Sequence, residues 1–219
     1  YTSYEDLYEL LKQKKKLFIK PFGAGKGTGV NQFQYINGKP YIGIKRSSRK
    51  EIINYMRKND DWMISECMQQ HSYSSDLYDK TVNTIRLITM RDIETQKIKI
   101  FFAVQRIGTS ATIPVDNGSR GGLVSKIDLE TGELSEARSL HSLEVHEVHP
   151  DSGAKIKGAV IPGWQDIKKE ILALANKVSF MHFIAWDILV TEEGICIIEA
   201  NTSSGVNIIQ LWGGQRNKE

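Results

Sequence analysis

The run AWDILVTEEGICIIEAN (185–201) constrains the fold of this chain more than any other stretch. Two apolar segments, FIAWDILV and ICIIEAN, flank TEEG and read as an antiparallel hairpin. Glu199 and Asn201 are two apart on one strand, so their side chains face the same way. Glu192-Glu193-Gly194 has the form of a three-residue turn with glycine last, and a turn centred on Glu193 sets Asp187 directly opposite Glu199. Two carboxylates and an amide oxygen then converge on one face of otherwise apolar strands. Carboxylates at that spacing repel, and burying them is costly unless a cation offsets their charge. An all-oxygen set suits Mg²⁺, which takes a few carboxylates and completes its shell with water and phosphate. The alternative is an exposed strand face on which acidic residues meet water.

A second pattern lies near the start, FIKPFGAGKGTGV (18–30), with Gly23, Gly25, Gly27 and Gly29 at alternate positions, Lys20 before them and Lys26 among them. It is not a Walker A loop, because Gly27 follows Lys26 where Ser or Thr is required. It is not the dinucleotide fingerprint either, since the third required glycine falls on Thr28 or Val30. Both of those motifs open a helix, whereas this one leads into a strand-like run. Alternate glycines between strands suit a β-loop whose N–H groups fold over phosphates; the alternative is a glycine-rich hairpin with no ligand. Phosphates and Mg²⁺ together point to phosphoryl transfer, which depends on positioning and charge neutralisation. Arg86 and Arg106 lie in apolar strand-like runs (TVNTIR, FFAVQR), and their planar guanidinium groups suit phosphate or carboxylate oxygens. An ordinary salt bridge explains each of them, taken singly, as well. Arg120, beside Gly121 and Gly122, is a weaker candidate of the same kind.

Along the chain, Tyr4 to Lys16 reads as an amphipathic helix with Ser3 as N-cap, and LFIKP as a strand stopped by Pro21. VNQFQYI and PYIGIK pair around Asn37-Gly38-Lys39. Ser48 and Glu51 form a capping box opening the helix RKEIINYMRK, and DDWMISECM returns as a strand. HSYSSDLYDK reads as a connector. TVNTIRLITM and KIKIFFAVQRI are long strands, VDNGSRGG is a loop before a strand, and LETGEL is a turn. The segment from Ser139 to Gly158 reads as loop with at most one strand. Its His141, His146 and His149 match no zinc spacing and are expected to make polar-loop or acceptor contacts. Gly163 to Met181 has helical periodicity.

The 219 residues suffice for one large or two small domains, and 40% hydrophobic with 25% charged residues is ordinary for a globular protein. A net charge of +3, without interleaved basic and aromatic residues, argues against nucleic acid. Cys67 and Cys196 sit in apolar runs and read as buried free thiols. No signal peptide or membrane-length apolar run is seen, so a cytoplasmic protein is expected. The sequence starts at Tyr1 without an initiator methionine, as a fragment or processed chain would.

The ordered set of motifs resembles the ATP-grasp superfamily, from about LFIKP to the end, and within it the sugar-transfer-associated group, to which VNTIR, VDNGSRGGLV and IPGW point. The resemblance implies an α+β ATP-grasp fold with a small lid subdomain (1–71) and a larger antiparallel-sheet subdomain (72–219) that carries the metal site. The usual N-terminal α/β domain is not seen, which leaves the acceptor open. Lys20 would contact the α-phosphate, and the loop with Gly23, Gly25, Lys26, Gly27 and Gly29 would close over the β- and γ-phosphates. Glu66, Cys67 and Met68 would bracket the adenine through backbone groups, and His71 would lie near the ribose. Arg86, Arg106 and Asn117 would serve the γ-phosphate and acyl phosphate. Asp187, Glu199 and Asn201 would bind Mg²⁺, as two ions. The implied activity is Mg·ATP-dependent carboxylate–amine ligation through an acyl phosphate. Its substrates are expected to be a small-molecule carboxylate and an amine, linked to sugar or polysaccharide chemistry only by the group's name. A kinase that leaves the phosphate on its acceptor, and an ATP-binding module without turnover, are the alternatives.

Overall fold

The computed structural model describes residues 3–22, 29–142, 144–205 and 207–213. Of the positions singled out in the sequence, Gly23, Gly25, Lys26 and Gly27 lie outside the described residues. The chain divides into two compact units, Tyr1–Met68 and Gln69–Glu219.

The first unit contains helix α1 (Tyr4–Lys14), strands β1 (Lys16–Lys20), β2 (Asn31–Ile36), β3 (Lys39–Ile42) and β4 (Lys45–Arg46), helix α2 (Arg49–Lys58) and strand β5 (Met63–Glu66). Its antiparallel sheet has the order β4-β3-β2-β1-β5. Ser3 caps α1 by accepting from the Asp6 N–H. The helix ends at Lys14, two residues before the expected Lys16, because Lys15 turns left-handed at φ 66°. Ser48 and Glu51 form the expected capping box on α2. Leu17, Ile19 and Phe33 are buried against Leu11, Ile52 and Met56 of the two helices. Strand alternation therefore turns Phe18 and Lys20 to the opposite face of the sheet. The β2–β3 hairpin has a two-residue turn, Asn37-Gly38, with φ of 49° and 76°, as a tight right-twisting turn requires.

The second unit is a seven-stranded antiparallel sheet, built from β6 (Ile85–Arg91), β7 (Ile98–Ile107), β8 (Leu123–Ile127), β9 (Leu134–Ser139), β10 (Val145–His146), β11 (Phe183–Thr191) and β12 (Gly194–Asn201). The strand order is β10-β9-β8-β7-β6-β11-β12. Helices α3 (Ser72–Leu77), α4 (Trp164–Lys177) and α5 (Asn207–Gln210) complete it. Three expectations are corrected. HSYSSDLYDK is not bare connector, because His71 caps α3 by accepting from the Tyr73 N–H. The turn in LETGEL releases directly into strand β9, whose Leu134 and Ala137 are buried. TVNT does not extend β6, since Asn83 and Thr84 turn their side chains to buried polar partners. One sheet face packs Ile85, Leu87, Trp186 and Ile188 against Trp164, Ile167 and Ile171 of α4. The other packs Ile88, Phe102, Val104, Val124 and Ala185 against Ile208 and Ile209.

A buried amide fixes the start of β6. Asn83 Oδ1 accepts from Thr81 Oγ1 (2.7 Å) and the Gly108 N–H (3.0 Å), and Nδ2 donates to the carbonyls of Ser74 (3.0 Å) and Tyr78 (2.7 Å). Gly108 admits no side chain, because a Cβ there would lie 2.3 Å from Thr81 Oγ1. The histidine expectation resolves at His149, which is buried, stacks on Tyr78 at 4.7 Å, pairs Nε2 with the Gly108 carbonyl and accepts two backbone N–H groups at Nδ1. Because Asn83 satisfies four buried groups, Asn83→Ala should lower stability by about 3 kcal/mol in urea unfolding.

Candidate functional site

The pairing that sets Asp187 against Glu199 arises differently from the sequence expectation. Thr191 pairs with Gly194, so the loop has two residues, Glu192 and Glu193, and not three. On that register Asp187 would face Ile198. Instead Ile188 pairs with Ile197 and Asp187 with Glu199, because a bulge inserts Ile198 and shifts the ladder by one residue. Asn201 follows on β12, opposite Ala185.

Asp187 also pairs across the sheet with Arg86, and Arg86 with Val104 on β7. Directly paired residues share a sheet face, so Glu199, Asp187 and Arg86 form a row across three strands, with Arg106 two residues beyond Val104. The row continues the face that carries Ile88, Val104 and Ala185. The same alternation that builds the apolar cluster thus delivers the charges beside it.

The charges interlock. Arg86 grips Asp187 with two bonds, Nε to Oδ1 and Nη2 to Oδ2 (2.9 Å), and donates from Nη1 to Ser204 Oγ at 2.7 Å. Arg106 Nη2 lies 3.3 Å from Asp187 Oδ2. On its other side Arg106 donates from Nε to Thr84 Oγ1 at 3.0 Å and lies 3.5 Å from Asp116 Oδ2. Asp187 and Asp116 side chains are only 6% and 8% exposed. Burial alone pulls the Arg106 pKa down, but Asp116, Asp187 and Glu199 together raise it above its ordinary value.

Lys20 lies on β1 beside Met63 of β5, and no carboxylate among the described residues pairs with it. Gly29 has φ 77°, and a Cβ would press on Pro21 at 3.2 Å and Trp62 at 3.4 Å, so the backbone there favours glycine. Glu66 is exposed and pairs with Lys14 at 2.8 Å. Cys67 accepts from Gln32 Nε2 at 3.7 Å, and burial pushes its thiol pKa up. Met68 is 45% exposed. His71 pairs with Glu192 at 3.1 Å, and its backbone N–H bonds the Val190 carbonyl, so it ties α3 to the tip of the β11–β12 hairpin. Asn117 Oδ1 caps the single 3₁₀ turn Gly118–Arg120, accepting from the Ser119 N–H and Oγ at 2.9 and 2.7 Å. Sequence reasoning missed Thr84, Asp116 and Ser204. Their short polar side chains resemble turn residues, and only the fold brings them to the arginines.

Asp187, Glu199 and Asn201 fit a hard, oxygen-preferring cation. A carboxylate offers about four lone-pair sites. The arginines take three of those of Asp187, which leaves one on Oδ1. Glu199 is exposed and has no hydrogen bond or ion pair among the described residues. Asn201 Nδ2 is buried without a partner, and a half-turn of that amide presents Oδ1 at the same place. No cluster of three His, Cys, Asp or Glu side chains suited to a metal occurs among the described residues. Removing Asp187 would strand two largely buried arginines. Asp187→Ala should therefore cost about 3–5 kcal/mol in urea unfolding, whereas Glu199→Gln, at an exposed position, should stay within about 0.5 kcal/mol of wild type.

The chain is similar to several solved structures. One is the ligase PsnB complexed with a phosphomimetic variant of its minimal precursor, Mg and ADP, at 10% identity and a TM-score of 0.46, with 94% of this chain and 43% of that chain covered. Another is the ADP complex of purK, N5-carboxyaminoimidazole ribonucleotide synthetase, at 14% identity and 0.46, with 94% and 39% covered. A third is the RiPP-associated ATP-grasp ligase of Chryseobacterium gregarium with ADP and a leader and core peptide, at 12% identity and 0.46, with 94% and 46% covered. The chain spans less than half the length of each. No curated protein matches it significantly. Residues 3–217, nearly the whole sequence, match the family described as sugar-transfer associated ATP-grasp, and the chain belongs to that family.

Proposed function

We propose that this protein is a Mg·ATP-dependent carboxylate–amine ligase that works through an acyl phosphate. The observation that carries this reading is the row Glu199–Asp187–Arg86 with Arg106 beside it. It joins a carboxylate pair suited to a cation with two guanidinium groups suited to anionic oxygens, in a chain of the ATP-grasp family. In this reading the Mg²⁺ ions, two in number, neutralise the triphosphate when bound and are held by Asp187, Glu199 and Asn201. Arg86 and Arg106 supply N–H donors where charge develops on the transferring phosphoryl group. The burial of both guanidinium groups makes those donors stronger than they would be in water. Asn117 orients the loop beside them. Lys20, on a rigid strand, and the glycine run after it serve the α-phosphate and the β- and γ-phosphates, with Glu66, Cys67 and Met68 at the adenine and His71 at the ribose.

ATP would transfer its γ-phosphoryl group to a substrate carboxylate oxygen, releasing ADP. The amine nitrogen would then attack the acyl carbon and expel phosphate, so an amide bond forms and one proton leaves the amine. The carboxylate and amine are proposed as small molecules tied to sugar or polysaccharide assembly, a reading supported only by the family description. Two free cysteines and the ATP requirement suit a cytoplasmic setting, and no helix among the described residues is long and apolar enough to cross a membrane.

Calorimetry with a non-hydrolysable ATP analogue should show binding that strengthens with Mg²⁺ in the wild type and loses most of that dependence in Glu199→Gln. Phosphate release over a panel of acids and amines should be matched by amide formed. A stable phosphorylated acceptor without amide would replace the ligase reading with a kinase one.

A further inference from the structure

Asp116 and Asp187 are the two buried carboxylates among the described residues, and the reading above uses only the second. Asp116 forms an ion pair with Arg106 at 3.5 Å, Oδ2 to Nε, without a short hydrogen bond to it. Its short bonds go to Thr84, from the backbone N–H at 2.7 Å and from Oγ1 at 2.6 Å. A hydroxyl has one proton to donate. Because Thr84 gives that proton to Asp116, its oxygen can only accept toward Arg106, and it does so from both Nε and Nη2. A threonine without Asp116 could rotate its proton toward the guanidinium and weaken both bonds. The backbone fixes the same unit, through Arg106 N–H to the Thr84 carbonyl at 2.8 Å.

With Thr84 on one edge and Asp187 on another, the guanidinium of Arg106 has lost its rotational freedom. Nη1 makes no hydrogen bond among the described residues and is not one of their buried unpartnered atoms, so part of its surface is accessible. We propose that Asp116 is a positioning residue: by polarising the Thr84 hydroxyl it locks the Arg106 guanidinium and leaves Nη1 as the edge offered to an anionic oxygen. The locking stands on the geometry alone, and the use of Nη1 on a phosphate rests on the ligase reading.

Arginine Nε–Hε signals in ¹H–¹⁵N NMR of the whole chain test it, with Arg86 and Arg106 assigned from Arg86→Lys and Arg106→Lys. Thr84→Val and Asp116→Asn should speed solvent exchange of the Arg106 Nε–H about tenfold, the scale set by losing one charge-assisted hydrogen bond. Thr84→Ser, which keeps the hydroxyl, should restore it, and the Arg86 signal should not follow. Thr84→Val keeps the side-chain shape, so the Val/Ser pair decides the matter if Asp116→Asn does not fold. A folded Thr84→Val protein with wild-type exchange at Arg106 would overturn the proposal. Calorimetry with Mg·ATP forms the second arm: Asp116→Asn should weaken binding as Arg106→Lys does, and unchanged affinity would overturn the presentation of Nη1. A wild type that bound no Mg·ATP would count against the ligase reading, with the NMR comparison still deciding the locking.

Discussion

The carboxylate of Asp187, shared between two arginines, is the interaction on which the centre of this protein depends. Arg86 and Arg106 approach it from one side each, on neighbouring strands, and neither is more than 18% exposed. Burying such charges is costly unless each is paired and hydrogen-bonded. The fold meets that requirement with Ser204 on the outer edge of Arg86 and with Thr84 and Asp116 on that of Arg106. The sheet supplies the rest, because one alternation period carries both the apolar cluster around Val104 and the charged row.

In the proposed reading a divalent ion at Asp187 would use the Oδ1 lone pair that the arginines leave free, so cation and guanidinium groups would share one carboxylate. Glu199 is exposed and has no hydrogen bond or ion pair among the described residues, so its substitution would test the proposed cation with little structural consequence.

Much of this was legible in the sequence, for identifiable reasons. The pairing of Asp187 with Glu199 was found, but through two departures that offset each other. The turn is one residue shorter than Glu192-Glu193-Gly194 suggested, and the bulge at Ile198 restores the register. A bulge leaves no compositional mark, so only the backbone shows it. The two arginines were recognised from their place in apolar runs, yet each was equally well explained as a salt bridge. They are in fact salt-bridged to the very carboxylate assigned to the metal. Thr84, Asp116 and Ser204 were out of reach because their partners lie 22, 32 and 118 residues away in sequence. Asn83, in the VNTIR run that marks the family resemblance, is instead a structural residue that satisfies the backbone around Gly108 and α3.

The proposed function depends most directly on a divalent cation at the Asp187–Glu199–Asn201 corner of the row. Substoichiometric Mn²⁺, added with a non-hydrolysable ATP analogue, broadens NMR signals according to their distance from the ion. The side-chain signals of Asn201, Arg86 and Arg106 should broaden first, and Glu199→Gln should abolish the effect. Broadening that spares these side chains while nucleotide binds would rule out a cation at this corner.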